Sequence, residues 1–248
     1  MRTNKFIKHI GLVAIVAGFT WGCVKYKGKE VALENTTFTD QSFVQVHNGI
    51  LNATRNYIYV DAAPVTGAAL SYNSTFPSTP SNFSVTEGYR MFLVKDTLST
   101  TTQAQLSFAE NLQAGNYYTI FLYDTLNSPK KKIVTNDILI PTDTSARVRF
   151  ANFIFSRTAV PNVDIFSLKR NANVFTNVGV TDVTGYVPYA SALNDTLYVR
   201  ETGTSNLLAT MNGFNPVQKR SYTLVFRGRY QTTGTTGIAR LLTSFSSN

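Results

Sequence analysis

The chain has 248 residues, 43% hydrophobic and 15% charged, with a formal net charge of +9; these values suit a packed globular protein of one large or two ordinary domains. A single cysteine and two histidines exclude a disulfide framework and a structural zinc site of four Cys or His ligands. The 13 tyrosines and 17 phenylalanines, set among abundant Thr, Ser, Asn and Val, favour strands and polar turns over helices.

The N-terminus has the pattern of an export signal. Arg2, Lys5 and Lys8 precede an apolar run from Ile10 to Phe19, shorter than the about 20 residues that cross a bilayer. Thr20-Trp21-Gly22-Cys23 follows and resembles the lipobox of bacterial lipoproteins, whose cysteine is lipidated and becomes the mature N-terminus. Gly22 fits that pattern, whereas Thr20 stands where leucine is usual and Trp21 is bulky for its place. The competing reading is an ordinary signal peptide with an incidental cysteine, but an exported protein has little use for a lone free thiol. Multiple acyl chains on Cys23 would anchor the protein stably where one chain would not. Removing residues 1–22 takes three of the 23 basic residues and none of the 14 acids, leaving +6, no tryptophan and His47 as the sole histidine.

Residues 23–41 are read as the lipidated N-terminus and a linker. Lys25, Lys27 and Lys29 are either solvated or set against anionic headgroups. Val24 takes the place of the acid that often retains lipoproteins in an inner membrane, so by resemblance to that sorting rule the expected address is the outer membrane.

A first domain is predicted over 42–141, with strands at Phe43–His47, Asn56–Val60, Tyr89–Lys95, Ala104–Phe108, Tyr117–Tyr123 and Ile133–Ile140 between turn clusters. Pro141–Ser145 is the expected joint, and a second domain spans 145–248. Its opening stretch alternates Val148 and Phe150 with Arg147 and Arg149, which predicts a strand with one buried face. The order of the first domain recurs at a shift of 104 to 106 residues: Val44–Asn48 falls on Val148–Asn152, Phe92–Thr97 on Leu197–Thr202, and Tyr118–Leu122 on Tyr222–Phe226. Three blocks at one offset imply an internal duplication. Short strands separated by turns over about 100 residues predict an all-β chain of two tandem immunoglobulin-like antiparallel β-sandwich domains after a lipoprotein signal peptide.

Phe43-Val-Gln-Val-His-Asn48, Pro161-Asn-Val-Asp-Ile-Phe166 and Tyr222-Thr-Leu-Val-Phe226 resemble the domain-of-unknown-function 4397 family. Its members are exported bacterial proteins, often lipoproteins, with a Val-Arg-Val-Val-His motif followed by Val-Asp-Val-Tyr-Val. The resemblance covers most of 42–230 and implies an envelope β-sandwich with no established activity. The first copy has His47 but Ile58 where the aspartate would fall; the second has Asp164 but Ala151 where the histidine would fall.

Catalytic chemistry finds little to work with. Nucleophile–histidine–acid catalysis needs a positioned histidine, and His47 comes without a Gly-x-Ser-x-Gly elbow. The acids lie mostly at predicted strand ends and turns, where they serve as turn formers, and none forms an Asp-x-Asp-x-Asp-Gly calcium loop. The chain is therefore read as not an enzyme, without cofactor or metal. Lys130–Lys132, Lys169–Arg170, Lys219–Arg220 and Arg227 with Arg229 fall on separate predicted tips rather than one aromatic-interleaved face, which argues against nucleic acid. Tyr57, Tyr59, Tyr117, Tyr123, Tyr186 and Tyr189 are candidate sugar contacts, with half-buried packing as the plainer role. Asp-Thr-Leu occurs at 96–98, 124–126 and 195–197; it resembles a bacterial O-glycosylation motif that would place sugar on Thr97, Thr125 and Thr196, and it also suits turns. The resulting expectation is a lipid-anchored envelope protein with a binding, adhesion or assembly role toward an envelope protein or polysaccharide. The alternative is an extracytoplasmic carbohydrate-binding module using exposed tyrosines.

Overall fold

The computed structural model describes residues 38–78, 81–137, 140–234 and 236–247. The signal segment, Cys23 and the linker up to residue 37 lie outside the described residues, as do Ile138 and Leu139 of the last strand predicted for the first domain. Apart from a short 3-10 turn at Phe38–Asp40, the named elements are all strands.

In the first half, β1 (Gln41–Asn48) through β9 (Ser128–Thr135) build two facing sheets. One has the order β4 (Ser74–Phe76), β1, β8 (Tyr117–Thr125), β9, with β5 (Phe83–Thr86) also on β1; the other runs β3 (Ala63–Pro64), β2 (Tyr57–Val60), β6 (Gly88–Lys95), β7 (Leu106–Leu112). The second half has the same plan. Its sheets are β13 (Val187–Tyr189), β10 (Ala146–Asn152), β16 (Ser221–Arg227), β17 (Leu241–Ser246), and β12 (Ala172–Val178), β11 (Val163–Ser167), β14 (Asp195–Glu201), β15 (Leu207–Phe214). Pairing is antiparallel except that β1 runs parallel to β8 and β10 parallel to β16. This is the expected β-sandwich class, with one parallel pair added in each half.

Each sandwich closes on residues of alternating strand positions. Val44, Val46, Ile58, Phe92, Val94, Ile120 and Leu122 meet in the first core. Val148, Phe150, Val163, Ile165, Leu197, Val199, Leu224 and Phe226 meet in the second. Burying each such side chain stabilises by about 1.5–3 kcal/mol. Polar residues at matching places fix the connections. The Tyr118 hydroxyl accepts from the Gln113 amide at 3.0 Å, and that of Tyr222 from the Val217 amide at 3.0 Å; in both halves the phenol ties down the chain five residues upstream, as in a tyrosine corner. Asn48 and Asn152, both fully buried, each accept from the amide two residues on and donate to a carbonyl, of Leu70 and Val178 respectively.

Three local expectations change. Lys130–Lys132 lie within β9, paired with β8, and not on a tip. Pro129 and the lysines mask this strand in the sequence, yet both are usual on a sheet edge, where a missing amide is tolerated and charge discourages further pairing. Lys130 meets Asp124 at 2.8 Å and Lys131 meets Glu110 at 3.0 Å. Secondly, Ile58 does not stand in the place of Asp164. Ile58 pairs with Val94 as Ile165 pairs with Val199, so Tyr57 opposite Lys95 corresponds to Asp164 opposite Arg200. Thirdly, β1 and β10 are buried on both faces along most of their length, not on one.

That second face is covered by the other half of the chain. Phe121, Ala151, Phe153, Val225 and Phe245, drawn from both halves, form a third apolar cluster. It lies between the β1/β8 sheet and the β10/β16/β17 sheet. From Phe38 onward the described residues make one compact unit.

Candidate functional site

Polar side chains complete the seam between the two halves. Arg149 is 2% exposed. Its guanidinium donates to Thr223 Oγ1, Asn136 Oδ1 and Thr119 Oγ1, each at 2.8 Å. Thr119 and Thr223 occupy matching positions in the two halves, each beside its own β1- or β10-type strand, and both bond the same cation. The rings of Tyr186 and Phe121 lie 4.8 and 5.6 Å from the guanidinium carbon, so cation–π contact helps to replace lost hydration. None of these hydrogen-bond acceptors is a carboxylate. Burial lowers the Arg149 pKa from its ordinary value, against the opposing influence of Tyr186 and Asp137.

His47 occupies the same seam. Its ring stacks on Phe245 at 4.9 Å and 11°, and Nδ1 lies 3.1 Å from Thr75 Oγ1. Nε2 is buried without a hydrogen-bond partner among the described residues. Burial, then the nearby positive charge of Arg227, lowers its pKa to about 3. At 2% exposure this histidine is a neutral packing residue, and no acid orients it. Gln45 Nε2 donates to the Ser246 carbonyl at 3.2 Å, and Thr243 Oγ1 donates to Asn73 Oδ1 at 3.0 Å. The seam is glued and closed, so the polar side chains of Arg149, His47 and Gln45 present no surface to a ligand.

The six tyrosines separate accordingly. Tyr189 is 1% exposed, which corrects its expected place among ligand contacts: its hydroxyl is enclosed with Ser167 and donates to the Asp195 carboxylate. Burial and then Asp195 push the Tyr189 hydroxyl pKa up. Tyr186 lies against Arg149, Tyr123 against Phe153 at 5.0 Å, and Tyr117 on Phe43 at 4.6 Å. Tyr57 and Tyr59 are different. They share the outer face of the β2/β6/β7 sheet, opposite Lys95 and Leu93, with the Lys95 ammonium 5.0 Å from the Tyr59 ring. Tyr89, at 80% exposure, and Met91, at 50%, extend the same face. Sequence reading missed Tyr89 and Met91, although the period of two from Tyr89 to Lys95 carried the signal.

The second half's outer sheet is arranged otherwise. Arg200 lies 4.0 Å over Phe166 and 5.3 Å from Tyr198, covering the aromatic surface. Asp164, 5% exposed, accepts from the amides of Asn177 and Gly203, from Thr202 Oγ1 and from Asn173 Nδ2 at 2.8–3.2 Å. All its lone pairs are engaged in joining β11, β12 and the turn after β14. That is a structural staple. In all three Asp-Thr-Leu segments the aspartate accepts a nearby backbone amide: Leu98 for Asp96, Thr125 for Asp124 and Thr196 for Asp195. Thr97 is exposed, while Thr125 and Thr196 are half-buried on strands.

The family model described as "Domain of unknown function (DUF4397)" matches residues 42–166. The chain belongs to this family. The matched span covers the first half and continues through β10 into β11. No curated protein matches. Among solved structures, the chain is similar to the Bacillus anthracis TIE protein at 11% identity and TM-score 0.24, covering 75% of this chain and 33% of that one. It thus spans about a third of that protein's length. A structure described as "Alpha-glucan binding by a streptococcal virulence factor" matches at 12% identity and TM-score 0.23, covering 74% and 93%. A putative polysaccharide binding protein (DUF1812) from Bacteroides thetaiotaomicron VPI-5482 matches at 9% and 0.23, covering 76% and 92%. Scores this low do not bear on function.

Proposed function

We propose that this DUF4397 protein is a duplicated, lipid-anchored envelope protein that binds another envelope component without catalysing a reaction. In this reading Cys23 carries the anchor in the outer membrane, and the joined sandwiches form a rigid head. The observation that carries the binding role is the open outer face of the β2/β6/β7 sheet, where Tyr57, Tyr59, Tyr89, Met91 and Leu93 lie together. Monomer surfaces seldom leave a contiguous apolar patch uncovered unless something docks there. Tyrosine suits such a role because it presents a large rigid surface with a polar tip.

A second reading, a carbohydrate-binding module, is favoured by the same pair Tyr57 and Tyr59 two residues apart, with Lys95 beside them. The two readings separate in one experiment. The protein is run through gels containing envelope polysaccharide, alongside a Tyr57→Ala, Tyr59→Ala variant, and a photo-reactive residue at Met91 is cross-linked on intact cells. Retardation weakened about tenfold by the double change, the loss of two aromatic contacts, supports the carbohydrate reading. Cross-linking to one envelope protein, without retardation, supports assembly. If neither occurs, this face is not the binding surface.

A further inference from the structure

A second, chemically different site lies at the seam's end. Where the parallel pairs β1/β8 and β10/β16 run out, Leu51 bridges to Thr125 and Phe155 bridges to Arg229. Between these extensions opens a cleft of about 330 Å³ lined by Asn52, Thr102, Thr125 and Asn127 from the first half and Arg157 and Arg229 from the second. A smaller cavity of about 170 Å³ shares both arginines and adds Gln231. The volume is at the lower end of the about 300–1,000 Å³ found for small-ligand pockets.

The charge in this cleft is one-sided. No residue lining either cavity is acidic, and neither arginine has an ion-pair partner among the described residues. Arg229 Nε is shielded from solvent and makes no hydrogen bond among them. The backbone fixes Arg229 from both sides: its amide donates to the Ile238 carbonyl at 2.8 Å, and its chain bridges Phe155 and Ala239. Gly228, at φ +99°, permits this close approach, because a Cβ there would lie 2.1 Å from the Ala239 carbonyl oxygen. The backbone that carries the arginine is therefore set before any ligand arrives. Around it stand neutral amides and hydroxyls of Asn52, Asn127, Thr125 and Gln231, groups that match sugar hydroxyls in both directions.

We propose that this cleft binds an acidic saccharide, its carboxylate on Arg229 and Arg157 and its hydroxyls on the surrounding Asn, Thr and Gln side chains. A guanidinium fork suits a planar carboxylate. Arg157 is exposed and acts at the rim. This site is separate from the tyrosine face and does not depend on it.

The test is titration calorimetry of the purified full chain with glucuronate, glucose and inorganic phosphate. The expected result is saturable glucuronate binding that weakens with added salt and falls about tenfold or more in Arg229→Gln, the loss of one charge-assisted hydrogen bond. Arg157→Gln, at an exposed position, gives a smaller loss and guards against misfolding of the first variant. Glucose does not bind, and Tyr57→Ala, Tyr59→Ala leaves glucuronate binding unchanged, so failure of the tyrosine reading and failure of this one are distinguishable. Phosphate binding as tightly as glucuronate would overturn the saccharide assignment in favour of a free oxyanion. Glucuronate binding indifferent to both arginines, or no binding at all, would overturn the site.

Discussion

Replacing Arg149 by alanine is expected to lower the unfolding free energy by about 3–5 kcal/mol, the upper range for truncating large buried side chains. The change empties the space between Tyr186 and Phe121 and strips three acceptors, on Thr119, Asn136 and Thr223, of their common donor. For a unit of this size about 2–4 °C of melting temperature accompanies each kcal/mol, so a fall of about 10 °C is expected. Arg149→Met should recover much of the loss. It keeps most of the volume and removes a buried charge that no carboxylate contacts directly, and apolar replacements of buried ions are often neutral or stabilising. Guanidinium denaturation of the three proteins measures both effects. An alanine variant within about 0.5 kcal/mol of wild type, the usual range for surface positions, would mean that Arg149 faces solvent and that the seam does not form.

His47 should make the protein acid-sensitive well above the carboxylate range. In the folded protein its pKa is about 3, whereas an unperturbed histidine titrates near 6.5. Below pH 6.5 the unfolded chain gains a proton that the folded chain refuses, so protonation favours unfolding. The contribution is complete above pH 6.5 and is lost as pH falls toward 3, at about 1.4 kcal/mol per unit. Between neutral pH and pH 5 the expected loss is about 2 kcal/mol. Asp61, Asp195 and Glu201 also have lowered pKa values, and they add a slope of the same sign only at lower pH, which leaves that window to histidine. Stability measured against pH for wild type and His47→Gln should therefore differ in slope over pH 5–6.5. Parallel curves would show that His47 is solvated when folded.

The strands were legible because alternation reports which residues share a face. It does not report what covers that face. Arg149 reads as an outward residue opposite Val148 and Phe150, and in a lone sandwich Gln45, His47, Thr119, Arg149 and Thr223 would form an outward polar row. They are buried because the matching face of the other half lies on them, a long-range fact with no local signature. The same limit explains the tyrosines: Tyr57 and Tyr189 are alike in sequence, and only the sheet on which each sits makes one an exposed platform and the other a core residue bound to Asp195. Lys130–Lys132 were misplaced because edge-strand chemistry imitates a turn. Ile58 was misassigned because a one-residue shift in register exchanges core and surface. In contrast, the offset that aligned Tyr118 with Tyr222 and Asn48 with Asn152 found residues whose hydrogen bonds repeat almost atom for atom. The acid-free cleft around Arg229 was not legible, since its residues come from five separate stretches of chain.

The two sandwiches are one body, joined through a buried polar seam. Differential scanning calorimetry of the purified wild-type chain tests it most directly. A single transition, with calorimetric and van't Hoff enthalpies equal, is the predicted result. Two resolved transitions, with Arg149→Ala shifting only that of the second half, would contradict it and leave two independent domains on a tether.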